Sequence, residues 1–198
     1  MYPLSPSHIN KANVQVTENR TTLKICDLGS ASDISENDIT PYLVSRFYRA
    51  PEIILGLPYD YAIDVWSAGC TLFELYTGKI LFDGRSNNQM LRLMLECRGR
   101  FPPKMLRKGQ LAGQHFNDQF VFMSQEIDSV TGNPVVKPMN LQKPVRELRQ
   151  RVLGSGAVVE GEGPLLASFV DFLGRCLELN PEKRITPSEA FRHPFIKI

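Results

Sequence analysis

Residues 24–52 read K-I-C-D-L-G-S-A-S-D-I-S-E-N-D-I-T-P-Y-L-V-S-R-F-Y-R-A-P-E. The stretch begins in an apolar run, Leu23 to Cys26, with the composition of a strand, and Asp27-Leu28-Gly29 follows directly. A carboxylate placed just after a strand and before a glycine can hold a metal ion at a sheet edge. The stretch ends on Ala50-Pro51-Glu52, ahead of the apolar Ile53-Ile54-Leu55. Pro51 suits the first position of a helix, where its missing N–H costs nothing. Between these ends lies a polar segment holding Tyr42, Arg46 and Arg49. A phosphate on Tyr42 has its counter-charges already nearby.

Working outward, Val14 to Val16, a T-E-N-R turn and Leu23 to Cys26 predict a hairpin that delivers Asp27. Residues 1–13 are polar and interrupted by Pro3 and Pro6. On the other side, Glu52 to Gly56 reads as a short helix. Residues 62–77 are apolar almost all round, which predicts a buried central helix stopped by Gly78. Asp64 and Glu74 are its polar exceptions. A buried Asp64 needs backbone donors, whereas an exposed one would merely sit at a helix start. Asn87 to Cys97 is an amphipathic helix with Met90, Leu91, Met94 and Leu95 inward.

Residues 99–163 change character, with glycine, proline and charge dominating. Phe120 to Ile127 and Val135 to Lys137 carry a hairpin pattern that turns at Thr131-Gly132-Asn133-Pro134. Gly154 to Gly163 reads as a weakly structured loop. Leu165 to Leu179 predicts a helix with Leu166, Phe169, Phe172, Leu173 and Cys176 inward. Thr186, Pro187 and Glu189 spell a capping box. His193 reads as a surface or packing histidine.

The chain has 198 residues, which favours one domain, and its 42% hydrophobic content supports a sizeable core. A net charge of +2 with mixed signs gives no argument for nucleic acid or an anionic membrane as a main partner. No run reaches membrane-spanning length, and the N-terminus lacks the basic start and apolar core of a signal peptide. Four separated cysteines (Cys26, Cys70, Cys97, Cys176) form no C-x-x-C pair and read as buried, reduced thiols.

The Asp27-Leu28-Gly29 and Ala50-Pro51-Glu52 motifs, at this spacing and with S-R-F-Y-R-A-P-E intact, resemble the activation segment of protein kinases. Asp64-Val65-Trp66-Ser67-Ala68-Gly69 resembles the kinase D-x-W-S-x-G motif. The insertion over residues 99–163 and the Y-x-x-S-R-F-Y-R-A-P-E wording resemble the CMGC group. The chain looks most similar to the splicing-associated pre-mRNA-processing kinases, near the dual-specificity tyrosine-regulated kinases.

This resemblance implies a mainly α fold, the helical lobe of a kinase domain with a short N-terminal β-hairpin and without the small lobe. It implies a catalytic-loop remnant and metal motif over residues 8–29 and an activation segment over residues 27–52. It makes Asp27 and Asn13 the metal and cofactor ligands, Asn13 by spacing only, and a loop asparagine is the other reading. It makes Tyr42, Arg46 and Arg49 regulatory, and places Ser45 in the pocket beside the substrate's acceptor residue. Glu52 and Arg184 are expected to pair, and Asp64 to anchor the catalytic loop.

The resemblance also implies ATP and Mg2+ as cofactors, and protein substrates or docking proteins as partners, splicing factors among them. It implies no direct nucleic-acid or membrane partner, and a nuclear more than a cytoplasmic location. Two departures limit it. His8 stands at the catalytic Asp position and Asn10 at the Lys position. No G-x-G-x-x-G and no V-A-I-K occurs. The expectation is a truncated serine/threonine kinase that is inactive as this chain and binds ATP weakly or not at all. The alternative is a non-catalytic binding module that keeps the substrate and docking surface.

Overall fold

The computed structural model describes residues 14–19, 21–26, 41–154 and 163–197. These are mostly helical, with two small antiparallel sheets. β1 (Val14–Val16) pairs with β2 (Leu23–Ile25) in the register Val14↔Ile25. The turn between them is held by Thr17, whose N–H and hydroxyl both donate to the Thr22 carbonyl. Leu23 and Ile25 are exposed although their run is apolar.

α1 (Pro51–Leu55) begins at Pro51 and is buried along its whole length. It ends at Gly56, where φ is +66° and a Cβ would lie 2.7 Å from Leu111 Cγ. Only glycine meets both conditions without strain. α2 (Ala62–Thr77) occupies the range predicted, and Gly78 in the left-handed conformation donates to the Glu74 carbonyl.

α2 is less enclosed than its apolar pattern predicts. Leu75 and Tyr76 in its last turn are about half exposed, although the Tyr76 ring still meets Phe169 with centroids 5.1 Å apart. Its first three turns form the centre of the molecule. Trp66 is fully buried and stacks on Phe82 with ring centroids 5.6 Å apart. A buried side chain of this kind is worth roughly 1.5–3 kcal/mol. Gly69 lets the helix that ends at Cys176 approach, since a Cβ there would sit 2.9 Å from Cys176 Cβ.

α3 (Asn87–Arg98) is capped by Ser86, whose side chain accepts from Gln89 N–H, while Gln89 reaches back to Arg85 N–H. Its inward face, Met90, Leu91, Met94 and Leu95, is the one the spacing predicts. α4 (Pro103–Lys108) follows. β3 (Phe122–Ile127) then pairs with β4 (Pro134–Met139). The strand starts after Phe120 because Phe120 lies at φ +58°, outside the extended region.

One edge of this hairpin is bonded to its neighbours and the other is poor in donors. Asp128 N–H donates to Asn133 O, which fixes the alternation of the ladder. Met123, Gln125, Pro134, Val136 and Pro138 then turn their backbone groups outward. On β3, Met123 N–H donates to His115 O and Gln125 N–H to Asn88 Oδ1, and Met123 O accepts from Asn88 Nδ2. On β4, two of the three outward positions are prolines and have no N–H to offer.

α5 (Leu148–Leu153) and α6 (Gly163–Cys176) pack against α2. α6 ends three residues before the predicted limit, and Leu177 and Leu179 stay buried without helical backbone. Residues 155–162, most of the predicted loop, lie outside the described residues. α7 (Pro187–Ala190) carries the predicted capping box, with Thr186 and Glu189 each bonding the other's backbone N–H. His193 is a packing histidine, 4% exposed, with Nε2 2.9 Å from Asp171 Oδ2 and its ring edge-on to Phe172. Cys70, Cys97 and Cys176 are buried as predicted, but Cys26, at the end of the exposed hairpin, is only half-buried.

Candidate functional site

The described part of the segment that opened the sequence reading, residues 41–50, crosses the start of α2 and the start of α3. A short 3-10 turn, Arg46–Tyr48, shapes its centre. Tyr48 anchors that turn. Its hydroxyl donates to Glu74 Oε2 at 2.6 Å, and its carbonyl accepts from Ser67 Oγ at 2.9 Å. Glu74, a polar exception on α2, is thereby part of the support for this loop.

Arg49 is the hub of the segment. It is 5% exposed, and its guanidinium reaches back over the chain that precedes it. Nε donates to Leu43 O at 3.0 Å, and Nη2 to Tyr42 O at 3.1 Å and Val44 O at 3.0 Å. Nη1 donates to Asn87 Oδ1 at 2.6 Å. These bonds use four of the five N–H donors of a guanidinium. Burial, and next the charge of Arg46, pull the Arg49 pKa below its ordinary value. The position is therefore held by carbonyl dipoles facing a cation.

In this conformation, which carries no phosphate on Tyr42, Arg49 gives its donors to the loop's own carbonyls and to Asn87. Arg46 is exposed, as is Tyr42, at 74%. Arg49 still lies 5.8 Å from the Tyr42 ring centroid, close enough for a cation–π contact.

Val44 carries the backbone strain of the site. It is 5% exposed and has φ +69°, a region that a β-branched residue rarely enters. The conformation turns the Val44 carbonyl inward to Arg49 Nη2. Ser45 and Arg46, next in the chain, are exposed. The loop thus presents side chains to solvent while its carbonyls at 42, 43 and 44 face Arg49.

Glu52 and Arg184 meet at the base of the segment. Arg184 Nη1 and Nη2 donate to Glu52 Oε1 and Oε2, and both side chains are fully buried. Asp64 is buried in the first turn of α2. The remaining site residues named from the sequence, His8, Asn10, Asn13 and Asp27, lie outside the described residues. So does the loop that Asp64 is expected to anchor. Among the described residues no group of three or more His, Cys, Asp or Glu side chains can hold a metal.

Two contributors were not read from the sequence. Val44 gives no composition signal, since a positive φ is usually announced by Gly or Asn. Asn87 reads as an ordinary polar residue at a helix start, yet it joins Arg49 to the Pro41 carbonyl.

The profile of the family described as "Protein kinase domain" matches residues 8–196. The chain belongs to the protein kinase family. The kinase chain is 53% identical over 189 residues to serine/threonine-protein kinase prp4 of Schizosaccharomyces pombe, covering 96% of this chain and 40% of that protein. It is 49% identical over 190 residues to serine/threonine-protein kinase prpf4B of Dictyostelium discoideum, covering 96% of this chain and 23% of that protein. It is 37% identical over 180 residues to dual specificity tyrosine-phosphorylation-regulated kinase 3 of Homo sapiens, covering 89% of this chain and 30% of that protein. The kinase chain therefore spans less than half the length of these relatives. Its likeness is stronger to the Prp4 type than to the tyrosine-regulated type.

Proposed function

We propose that these residues form the helical, substrate-receiving lobe of a serine/threonine kinase domain of the pre-mRNA-processing type. In this reading residues 27–52 are the activation segment, residues 41–49 the substrate loop, and residues 99–163 the CMGC-type insertion. The observation that carries it is the preformed loop around Arg49, with Val44 O turned inward and Ser45 exposed beside it. A loop that has consumed this carbonyl offers no acceptor to the N–H of the substrate residue after the phosphorylated Ser or Thr. A residue without an N–H loses nothing there, so the loop favours Ser-Pro or Thr-Pro.

ATP and Mg2+ are the family's cofactors, and Asp27 and Asn13 are the residues of this chain that would hold the metal. When bound, Mg2+ neutralises charge on the phosphates. The chain's own contribution is to seat the acceptor peptide and fix its register. His8 at the base position, with no Gly-rich loop or V-A-I-K lysine among these residues, makes the 198-residue polypeptide a binder that does not transfer phosphate by itself. Losing orientation and base together lowers the rate by several orders of magnitude. Splicing proteins in the nucleus are the substrate or docking partners this reading favours, and among the described residues no helix is long and apolar enough to cross a membrane.

The test uses the purified chain, a fluorescent Ser-Pro peptide and the matching Ser-Ala peptide. Binding of the first in preference to the second, with no transfer of labelled phosphate from ATP, is the expected result. Equal affinity for both peptides, or robust transfer abolished by Asp27→Ala, would overturn it.

A further inference from the structure

Two consecutive asparagines open α3 and hold two different parts of the chain. Asn87 Nδ2 donates to Pro41 O at 3.2 Å, and its Oδ1 accepts from Arg49 Nη1 at 2.6 Å. Among the described residues it is the only side chain that accepts from Arg49; the other three acceptors are backbone carbonyls. Asn88 is 2% exposed and serves the hairpin. Its Oδ1 accepts from Gln125 N–H at 2.8 Å, and its Nδ2 donates to Met123 O at 3.0 Å and lies 3.2 Å from His115 Nδ1.

The two anchors share one peptide bond in a capped helical turn. Ser86 and Gln89 fix that turn from both sides. Arg92, one turn on, adds a second tie to the hairpin, donating to Glu126 Oε1 at 2.7 Å. A displacement of the hairpin that moves Asn88 cannot leave Asn87 in place, because the backbone of one helical turn is rigid. The loop that Asn87 holds has no other side-chain acceptor for Arg49 to fall back on among the described residues.

We propose that Asn87 is a positioning residue for loop 41–49, and that the Asn87–Asn88 turn couples this loop to the β3–β4 hairpin. A partner that grips the insertion would then alter the loop that receives the substrate without touching it. Coupling of this kind requires that the two sites bias one shared element, and the first turn of α3 is that element. The role in substrate positioning rests on the reading of residues 41–49 given under Proposed function; the coupling does not.

The experiment is hydrogen exchange on the intact chain, read at the amides of Tyr48 and Arg49, which donate to Ser45 O and Arg46 O. Asn87→Ala is expected to speed these amides about tenfold, the equivalent of one lost charge-assisted hydrogen bond. Exchange in the middle of α2 should stay unchanged. Asn87→Asp keeps the acceptor for Arg49 and loses only the donor to Pro41, so its effect should be smaller. Asn88→Ala should speed the same two loop amides along with those of β3, and Asn88→Asp, which keeps the acceptor for Gln125, serves if the alanine variant does not fold. An Asn88 variant that speeds only the hairpin overturns the coupling, as does an Asn87→Ala variant with an unchanged loop. Peptide affinity is measured on the same samples. A native chain that binds no Ser-Pro peptide overturns the substrate role, while the exchange pattern independently decides the coupling.

Discussion

Arg184 grips both carboxylate oxygens of Glu52, at 2.6 and 2.9 Å, across 132 positions of sequence. The same guanidinium donates to Ala62 O and Glu178 O and lies 5.1 Å over the Trp66 ring. It therefore joins α1, the start of α2 and the loop after α6 at one point. Arg184→Ala leaves the buried Glu52 carboxylate without its cation, which typically costs about 3–5 kcal/mol. Replacing both partners at once, Glu52→Leu with Arg184→Met, should cost less than the two single changes added, since no charge is left unpaired. Urea denaturation of Arg184→Ala, the double variant and its two single variants measures this, and an unchanged midpoint in Arg184→Ala contradicts it.

Val44 separates conformation from side chain. Val44→Gly relieves roughly 1–2 kcal/mol of left-handed strain but gives up a buried side chain worth about 1.5–3 kcal/mol, so its net effect on stability is small. Val44→Pro cannot reach φ +69°, because the ring holds φ near about −65°. The proline variant should lose the bond from Arg49 and with it the binding of Ser-Pro peptide. The glycine variant should bind nearly as the native chain does. Fluorescence anisotropy with one labelled peptide compares them, and equal binding by all three would count against a role for the inward carbonyl.

Phosphate on Tyr42 should depend on Arg46 and hardly on Arg49. Tyr42 is exposed, and the modification adds about −1.5 to −2 charges four positions before the exposed Arg46. With this phosphate in place, proteolytic cleavage between Ser30 and Pro41 should slow, and Arg46→Ala should abolish the slowing. Because this pair is exposed, raising the salt concentration should weaken it as well. Cleavage at equal rates with and without phosphate would rule the switch out.

His115 sets one limb of the pH dependence of stability. Burial beside Asn88 lowers its pKa from the ordinary 6.5. The folded chain then binds fewer protons at this site than the unfolded one just below that value. Its contribution is complete above about pH 6.5 and is lost as the pH falls toward the lowered value, with a slope of at most about 1.4 kcal/mol per pH unit. The carboxylates held low, Glu126 and Asp128 among them, act only at more acidic pH. Urea titrations from pH 7.5 to 5 should show the loss, and His115→Gln should flatten it. A slope that survives in that variant assigns the effect elsewhere.

The thiols should divide by burial. Burial pushes Cys70 well up, Cys97 up and Cys176 up to about 12, which disfavours the thiolate near neutrality. Cys26 is half-buried at the end of β2. A thiol reagent at pH 8 should therefore label Cys26 first in the native chain, and all four cysteines only after unfolding. Fast native labelling of Cys176 would contradict this.

Periodicity and punctuation made most of the helices legible. Gly78 and the apolar spacing bounded α2, and Thr186, Pro187 and Glu189 bounded α7, because caps and stops are local chemistry. α6 was read three residues too long because Leu177 and Leu179 continue the apolar pattern but are buried by tertiary packing, not by helix. The site was legible as a list of residues, not as an arrangement. The charge of Arg49 is visible in the sequence but its burial is not, so its bonds to the carbonyls of residues 42, 43 and 44 are not legible there. Val44 and Asn87 carried no signal, since one role is a backbone angle and the other a contact 38 positions away.

The β3–β4 hairpin is a ribbon of two unlike margins. One margin is stitched to Asn88 and His115, and the other has proline where two amides would project. With two of three outward amides missing on β4, an incoming strand would find few donors there. The hairpin's exposed apolar side chains are Ile127, Val130 and Val136. Main-chain pairing is indifferent to sequence, while a face is spelled residue by residue. Changing those three side chains should leave the ladder as it is and rewrite only the surface it shows.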